Sequence, residues 1–146
     1  DPRADVRPMD AMVYIKAAKK EFDVAIIDST DPVDFAAGLF ESAFYRDIYS
    51  ALKDDGMAVA QTESPFTDTS VVKSAFREME SVFPVTRMYW GAMPTYPSGM
   101  WTYTIGSKKH DPSIPQRETP DNVRYYSKQI HTAAFVLPPF LRDLLK

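Results

Sequence analysis

The apolar run Val24-Ala25-Ile26-Ile27, bounded by Asp23 and Asp28, has the pattern of a strand buried on both faces of a parallel sheet. Upstream, Met12, Ile15 and Ala18 or Lys19 recur at helical spacing between Ala11 and Lys20. Asp10 is the predicted N-cap of that helix, and Lys19-Lys20 suit the negative pole at its end. A second amphipathic helix is predicted over 42–53, where Phe44, Tyr45, Ile48, Tyr49 and Leu52 repeat at three and four and Asp54-Asp55-Gly56 supplies the stop. Met57 to Gln61 reads as the next apolar strand. A third helix runs from Asp68 or Thr69 to about Phe83, turning Val72, Ala75, Phe76, Met79 and Phe83 inward before Pro84.

The remainder is differently patterned. Thr86 to Ala92 and Met100 to Ser107 alternate and are rich in aromatics and threonine, as an antiparallel pair would be, around the turn formers Pro94 and Tyr96-Pro97-Ser98-Gly99. Pro112, Pro115 and Pro120 mark a polar connection, followed by a helix from about Asn122 to Ala134, a break at Pro138-Pro139 and a short helix over Phe140 to Leu145. With an ill-defined strand at Ala4 to Arg7, the order of elements predicts the second half of an open α/β sheet with an antiparallel edge. The 146 residues suffice for one domain, 1–146, with no internal repeat and no low-complexity tract.

Composition narrows the function. The net charge of −3 speaks against nonspecific nucleic-acid binding. No apolar run approaches the roughly 20 residues of a membrane helix and no charged-then-apolar leader opens the chain, so a soluble, cytoplasmic protein without a membrane partner is expected. The absence of Cys removes disulfides, thiolate metal sites and cysteine nucleophiles, and two histidines, His110 and His131, make a poor start for a metal centre, so none is expected. The five glycines are scattered, so the Gly-rich turn that cradles a nucleotide in such sheets has no counterpart. Because the first residue is Asp1 and not Met, the chain reads as a piece or processed product of a longer one.

Ligands of open α/β sheets sit beyond the carboxyl ends of the parallel strands. There the chain reads Asp28-Ser29-Thr30-Asp31-Pro32 after one strand and Gln61-Thr62-Glu63-Ser64-Pro65-Phe66 after the next. Carboxylates at such a rim favour a cationic ligand. Asp28 and Asp31, three residues apart, either grip one small molecule or cap a turn and face solvent; Glu63 has the same two readings. Asp10-Ala11 lies at a third rim position, where the carboxylate either caps a helix or accepts the exocyclic amine of an adenine, with Met9 against the ring. Tyr96 and Trp101 bracket a turn and are either core rings or two walls of a box for an alkyl-ammonium ion.

Taken together, DSTDP at 28–32, GLF at 38–40 with FYRD at 44–47, ESPF at 63–66, PTYPSGMW at 94–101 and HTAAFVLPPFLRDLL at 131–145 resemble the polyamine aminopropyltransferases, the spermidine synthases in particular. The resemblance implies a Rossmann-like methyltransferase-type fold, of which this chain would be the C-terminal portion. It also implies transfer of an aminopropyl group from decarboxylated S-adenosylmethionine, a co-substrate, to a diamine, with no separate cofactor. By the same resemblance Asp28 is the catalytic acceptor, Asp31, Tyr96 and Trp101 bind the diamine, and Asp10 and Ala11 contact the nucleoside. Where the family commonly continues with Gly-Pro, this chain has Val33-Asp34-Phe35. Putrescine is the expected acceptor, with cadaverine or agmatine as alternatives; a guanidinium would want a bidentate carboxylate, for which Glu63 is a candidate. A methyltransferase and a non-catalytic partner subunit are the competing readings, and a homo-oligomer or association with an N-terminal portion is expected.

Overall fold

The computed structural model describes residues 1–28 and 41–146. Helix α1 (Ala11–Ala17) precedes strand β1 (Phe22–Ile27), and α2 (Ser42–Ala51) leads directly into β2 (Leu52–Gln61). Then come α3 (Thr69–Glu80), the pair β3 (Val85–Ala92) and β4 (Met100–Ser107), and two short helices, α4 (Lys128–Ala134) and α5 (Pro139–Leu144). The strands form one sheet in the order β1-β2-β4-β3, with β1 and β2 parallel and β4 antiparallel to both its neighbours. This is the expected open α/β sheet with an antiparallel edge. No helix among the described residues is long and apolar enough to cross a membrane.

The pleat decides which side chains meet the helices. Ala25 pairs with Ala58 and Ile27 with Ala60, which in turn pairs with Thr104, itself opposite Met88. These residues share one face. Phe44, Tyr45 and Ile48 of α2 and Met79 of α3 pack there against Ala58, Ala60 and Phe83, while Val72 and Phe76 join Met88 and Leu141 in a second cluster. Each fully buried Ile48-sized side chain contributes about 1.5–3 kcal/mol by leaving water. Gly106 is required here by close approach: a Cβ would lie 2.5 Å from Cγ of Phe83, whose ring rests on the glycine.

Several sequence expectations need correction. The Val24 to Ile27 strand is buried on one face only, because Val24 and Ile26 point away from α2 and are 57% and 77% exposed. No described element covers that face at the β1 edge. The second helix ends at Ala51 instead of Lys53, and Asp54-Asp55-Gly56 lies inside β2, where Phe22 pairs with Leu52 before the register shifts to Val24 with Met57. Local charge and glycine content suggested a stop, but β1 pairs on either side of them, at Leu52 and at Met57, so they lie in a bulge within the strand; a Cβ on Gly56 would meet that of Leu52 at 2.9 Å.

The first helix stops at Ala17, and Lys20 adopts φ 51° before β1. The third ends at Glu80, although Phe83 is buried as expected. The helix predicted from Asn122 covers only Lys128–Ala134, because Asn122 has φ 63° and Ser127 caps the helix by accepting from the Ile130 N–H at 3.1 Å. Residues 4–7 form no strand and are exposed, with Arg7 paired to Asp5.

Candidate active site

Three chain segments converge at one end of the sheet for topological reasons. β1, β2 and β3 run the same way, so Asp28, Gln61 and the 93–99 turn all emerge at their carboxyl ends, where the antiparallel β4 begins. The turn is closed by Met93 N–H to Gly99 O at 3.0 Å and Gly99 N–H to Tyr96 O at 2.9 Å, with Gly99 at φ 65° in the left-handed region. This holds Tyr96 above the start of β4, its ring centroid 4.4 Å from that of Trp101.

These segments enclose a cavity of about 580 Å³ whose lining includes Asp28, Gln61, Glu63, Asp68, Tyr96 and Trp101. Three carboxylates therefore face one space, and among the described lining residues there is no Lys or Arg. Asp68 precedes α3 at the N-cap position but makes no side-chain capping bond. Such a field attracts cations, and the Tyr96 and Trp101 rings offer π faces and apolar area to an alkyl-ammonium chain.

Next to Gln61, Glu63 and Trp101 in the chain lies a buried layer of threonines. Thr62, Thr102 and Thr104 are fully buried, and the Thr62 Oγ1 lies 3.1 Å from Oγ1 of Thr102 and 3.3 Å from that of Thr104. Thr102 also donates from Oγ1 to the Glu63 carbonyl at 2.8 Å, and its N–H donates to the same carbonyl at 3.0 Å. Those bonds hold Glu63 at φ 78°, a conformation rare for a side chain with a Cβ, so that this buried carboxylate is placed at the cavity wall.

A second cavity, about 380 Å³, adjoins the first. Ala11, Tyr14, Ile15, Phe22, Val24 and Ile26 give it mainly apolar walls, and Asp28 borders it as well. Asp28, exposed at the end of β1, is thus common to a polar, aromatic-walled cavity and an apolar one. Asp10 caps α1: its Oδ1 accepts from the N–H groups of Met12 at 2.8 Å and Val13 at 3.4 Å. The capping reading of Asp10 therefore holds, and both bonds fall on a single oxygen.

Of the residues singled out from sequence, Asp28, Tyr96 and Trp101 come together, Ala11 lines the neighbouring cavity, and Asp31 lies outside the described residues. Two contributors were missed. Gln61 accepts a 2.6 Å hydrogen bond from the Trp101 indole N–H, and Asp68 adds the third acid. The signal for Gln61 was its position as the last residue of a strand at the rim; its partner was invisible without the β2–β4 register. Behind the rim, Tyr103 pairs with Gln61 in register and stacks on Tyr89 at 4.9 Å. Burial, then the charges of Tyr96 and Asp28, raise the Tyr103 phenol pKa, and burial pushes that of Tyr89 up to about 12.

Residues 1–117 match the spermine/spermidine synthase domain family. The chain belongs to that family. It is 49% identical over 144 residues to a polyamine aminopropyltransferase of Desulforudis audaxviator, covering 97% of this chain and 52% of that protein. A second relative of the same name, from Shouchella clausii, is 49% identical over 148 residues, covering 100% of this chain and 54% of the relative. Among solved structures, spermidine synthase from Thermotoga maritima superposes with a TM-score of 0.85 at 44% identity, covering 99% of this chain and 50% of that one. A spermidine synthase in complex with the transition-state analogue AdoDATO gives 0.87 at 43% identity, covering 99% of this chain and 52% of that one. The chain spans about half the length of these relatives.

Proposed function

We propose that the complete polypeptide containing this chain transfers an aminopropyl group from decarboxylated S-adenosylmethionine to a diamine, putrescine being the favoured acceptor, to give spermidine and 5′-methylthioadenosine. The observation that carries this reading is Asp28 as the shared border of an acidic, aromatic-walled cavity and an apolar one. The first suits a dicationic alkyl chain and the second the nucleoside end of a sulfonium donor. Family membership and the names of the relatives support the same reading.

The chemistry is a displacement at carbon. The amine lone pair forms the new N–C bond at the methylene next to the sulfonium, the C–S bond breaks, and its electron pair returns to sulfur as a neutral thioether. A sulfonium is already an activated leaving group, so the protein's tasks are alignment and deprotonation. An alkylamine has a pKa of about 10.4, as Lys does, and enters protonated. The acidic cavity draws it in, and Asp28 accepts the proton or a hydrogen bond from the attacking nitrogen. Tyr96 and Trp101 hold the alkyl chain, and Asp31 the remote ammonium. Asp10 caps with Oδ1 and offers Oδ2 to the exocyclic amine of the nucleoside, beside Ala11.

The test uses the complete polypeptide with decarboxylated S-adenosylmethionine and putrescine, cadaverine or agmatine in turn, quantifying 5′-methylthioadenosine and the amine product by mass spectrometry. Putrescine is expected to give the highest kcat/KM. Asp28→Asn is expected to lower kcat about 10²–10⁴-fold, the usual share of a positioned proton acceptor, while leaving the melting temperature unchanged. Absence of 5′-methylthioadenosine with all three amines would overturn the reading in favour of a non-catalytic subunit. A methylated product from S-adenosylmethionine itself would favour a methyltransferase.

A further inference from the structure

We propose that Gln61 is a positioning residue for the amine cavity: by holding the Trp101 indole it fixes the aromatic wall against which Tyr96 rests. The inference builds on the aminopropyl-transfer reading and adds to it a residue that acts through another side chain instead of through the substrate.

Gln61 is the last residue of β2, and its backbone is set by pairing with Tyr103. Trp101 lies two residues earlier on β4, so the alternation of the strand places its side chain on the same face, diagonal to Gln61. The indole Nε1–H is the only polar group of that side chain and can only donate, which requires the Gln61 amide to present its oxygen. The observed separation of 2.6 Å meets that requirement. An indole held by both its ring contacts and its one donor has a single orientation, whereas one held by contacts alone can turn over in its pocket.

Tyr96 depends on that orientation. It sits on a turn, is 44% exposed, and has Trp101 as the ring next to it, at 4.4 Å between centroids and 50° between planes. Both rings and Gln61 line the cavity that holds Asp28, Glu63 and Asp68. The chain of dependence thus runs from a sheet-anchored amide to a half-buried indole to an exposed phenol. It ends at the surface an alkyl-ammonium chain would touch, so Gln61 governs amine affinity more than the chemical step.

The experiment uses the complete polypeptide and the variants Gln61→Leu, Gln61→Glu, Trp101→Phe and the double variant Gln61→Leu/Trp101→Phe, with putrescine as acceptor. Gln61→Leu is expected to raise the putrescine KM about five- to tenfold, the size of a lost cation–π or apolar contact, with kcat changed less than about threefold. Gln61→Glu keeps an oxygen within reach of the indole and is expected not to raise KM. Because both single changes break the bond between the two side chains, their effects are expected to be less than multiplicative in the double variant. Multiplying effects would mean that Gln61 acts on the amine independently of Trp101 and would overturn the proposal, as would an unchanged KM in Gln61→Leu or an equal rise in Gln61→Glu.

A second measurement separates this proposal from the functional reading on which it rests. In protein labelled with 5-fluorotryptophan, the ¹⁹F resonance that disappears in Trp101→Phe is expected to move in Gln61→Leu and to keep its position in Gln61→Glu. A resonance unmoved by Gln61→Leu refutes the hold on Trp101 whether or not transfer is observed. A failure of transfer with the expected ¹⁹F pattern overturns the choice of substrate and leaves the positioning role standing.

Discussion

Replacing Thr102 by Val tests whether the buried threonines under the rim set the geometry of the site. The change swaps a hydroxyl for a methyl at a fully buried position, with almost no change in volume. It removes the hydroxyl that lies 2.8 Å from the Glu63 carbonyl, 3.2 Å from the Thr62 carbonyl and 3.1 Å from Thr62 Oγ1. The Glu63 carbonyl keeps the Thr102 N–H at 3.0 Å and Thr62 Oγ1 keeps Thr104 at 3.3 Å, but the buried Thr62 carbonyl loses the hydroxyl donor it has at 3.2 Å. The loss is therefore that of ordinary hydrogen bonds, about 1 kcal/mol each, plus the cost of leaving a buried carbonyl without its hydroxyl donor, about 1–3 kcal/mol.

Glu63 gives this change a functional consequence. Its φ of 78° is held in part by the hydroxyl being deleted, so its carboxylate loses definition at the cavity wall. In the complete protein, urea denaturation should show the loss as a lower midpoint, and the putrescine KM should rise while Thr102→Ser, which keeps the hydroxyl, leaves KM near its original value. A Thr102→Val protein within about 0.5 kcal/mol of the parent, a range typical of surface changes, and with unaltered KM would refute the argument.

Three other outcomes follow from the core and the caps. Gly106→Ala places a methyl 2.5 Å from Phe83 Cγ and is expected to cost about 1–3 kcal/mol as overpacking, read as a lowered melting temperature; unchanged melting would mean the ring moves freely aside. The Tyr45 hydroxyl is buried with no hydrogen-bond partner among the described residues, so Tyr45→Phe is expected to match or exceed parental stability at neutral pH. Burial, and then the nearby Glu78 charge, raise the Tyr45 pKa above 10, so the unfolded chain releases that proton first and stability falls as pH rises above about 10. Tyr45→Phe should flatten that alkaline decline in urea midpoints measured from pH 8 upward; parallel curves would contradict it. Asp10→Ala should cost about 0.5–2 kcal/mol by loss of the α1 cap, and Asp10→Asn, which keeps an oxygen acceptor, should recover most of it.

The elements that could be read directly were those whose pattern is repeated several times within one segment. The inward faces of α2 and α3 and the alternation of β3 and β4 each rest on four or more positions that agree, so no distant partner was needed to recognise them. Boundaries failed where a distant partner overruled local chemistry. Asp54-Asp55-Gly56 looks like a stop, yet β1 pairs before and after it and leaves it as a bulge inside β2; the run from Asn122 looks helical, yet a left-handed Asn and a Ser127 cap delay the helix. The apolar content of Val24 to Ile27 likewise said nothing about which face would be covered, and Val24 and Ile26 are exposed.

The same division holds at the site. The order of residues determined that acids would stand at the carboxyl ends of two parallel strands, because chain direction and strand order follow from the pattern of elements, and the motif strings carried the family resemblance. Only the tertiary structure decided that Asp28 separates two cavities of opposite character, that Glu63 is held in a left-handed backbone by a threonine from β4, and that Gln61 grips Trp101 across the sheet. Each of these depends on the register between strands about forty residues apart, a quantity that local sequence does not encode and that the packed sheet alone selects.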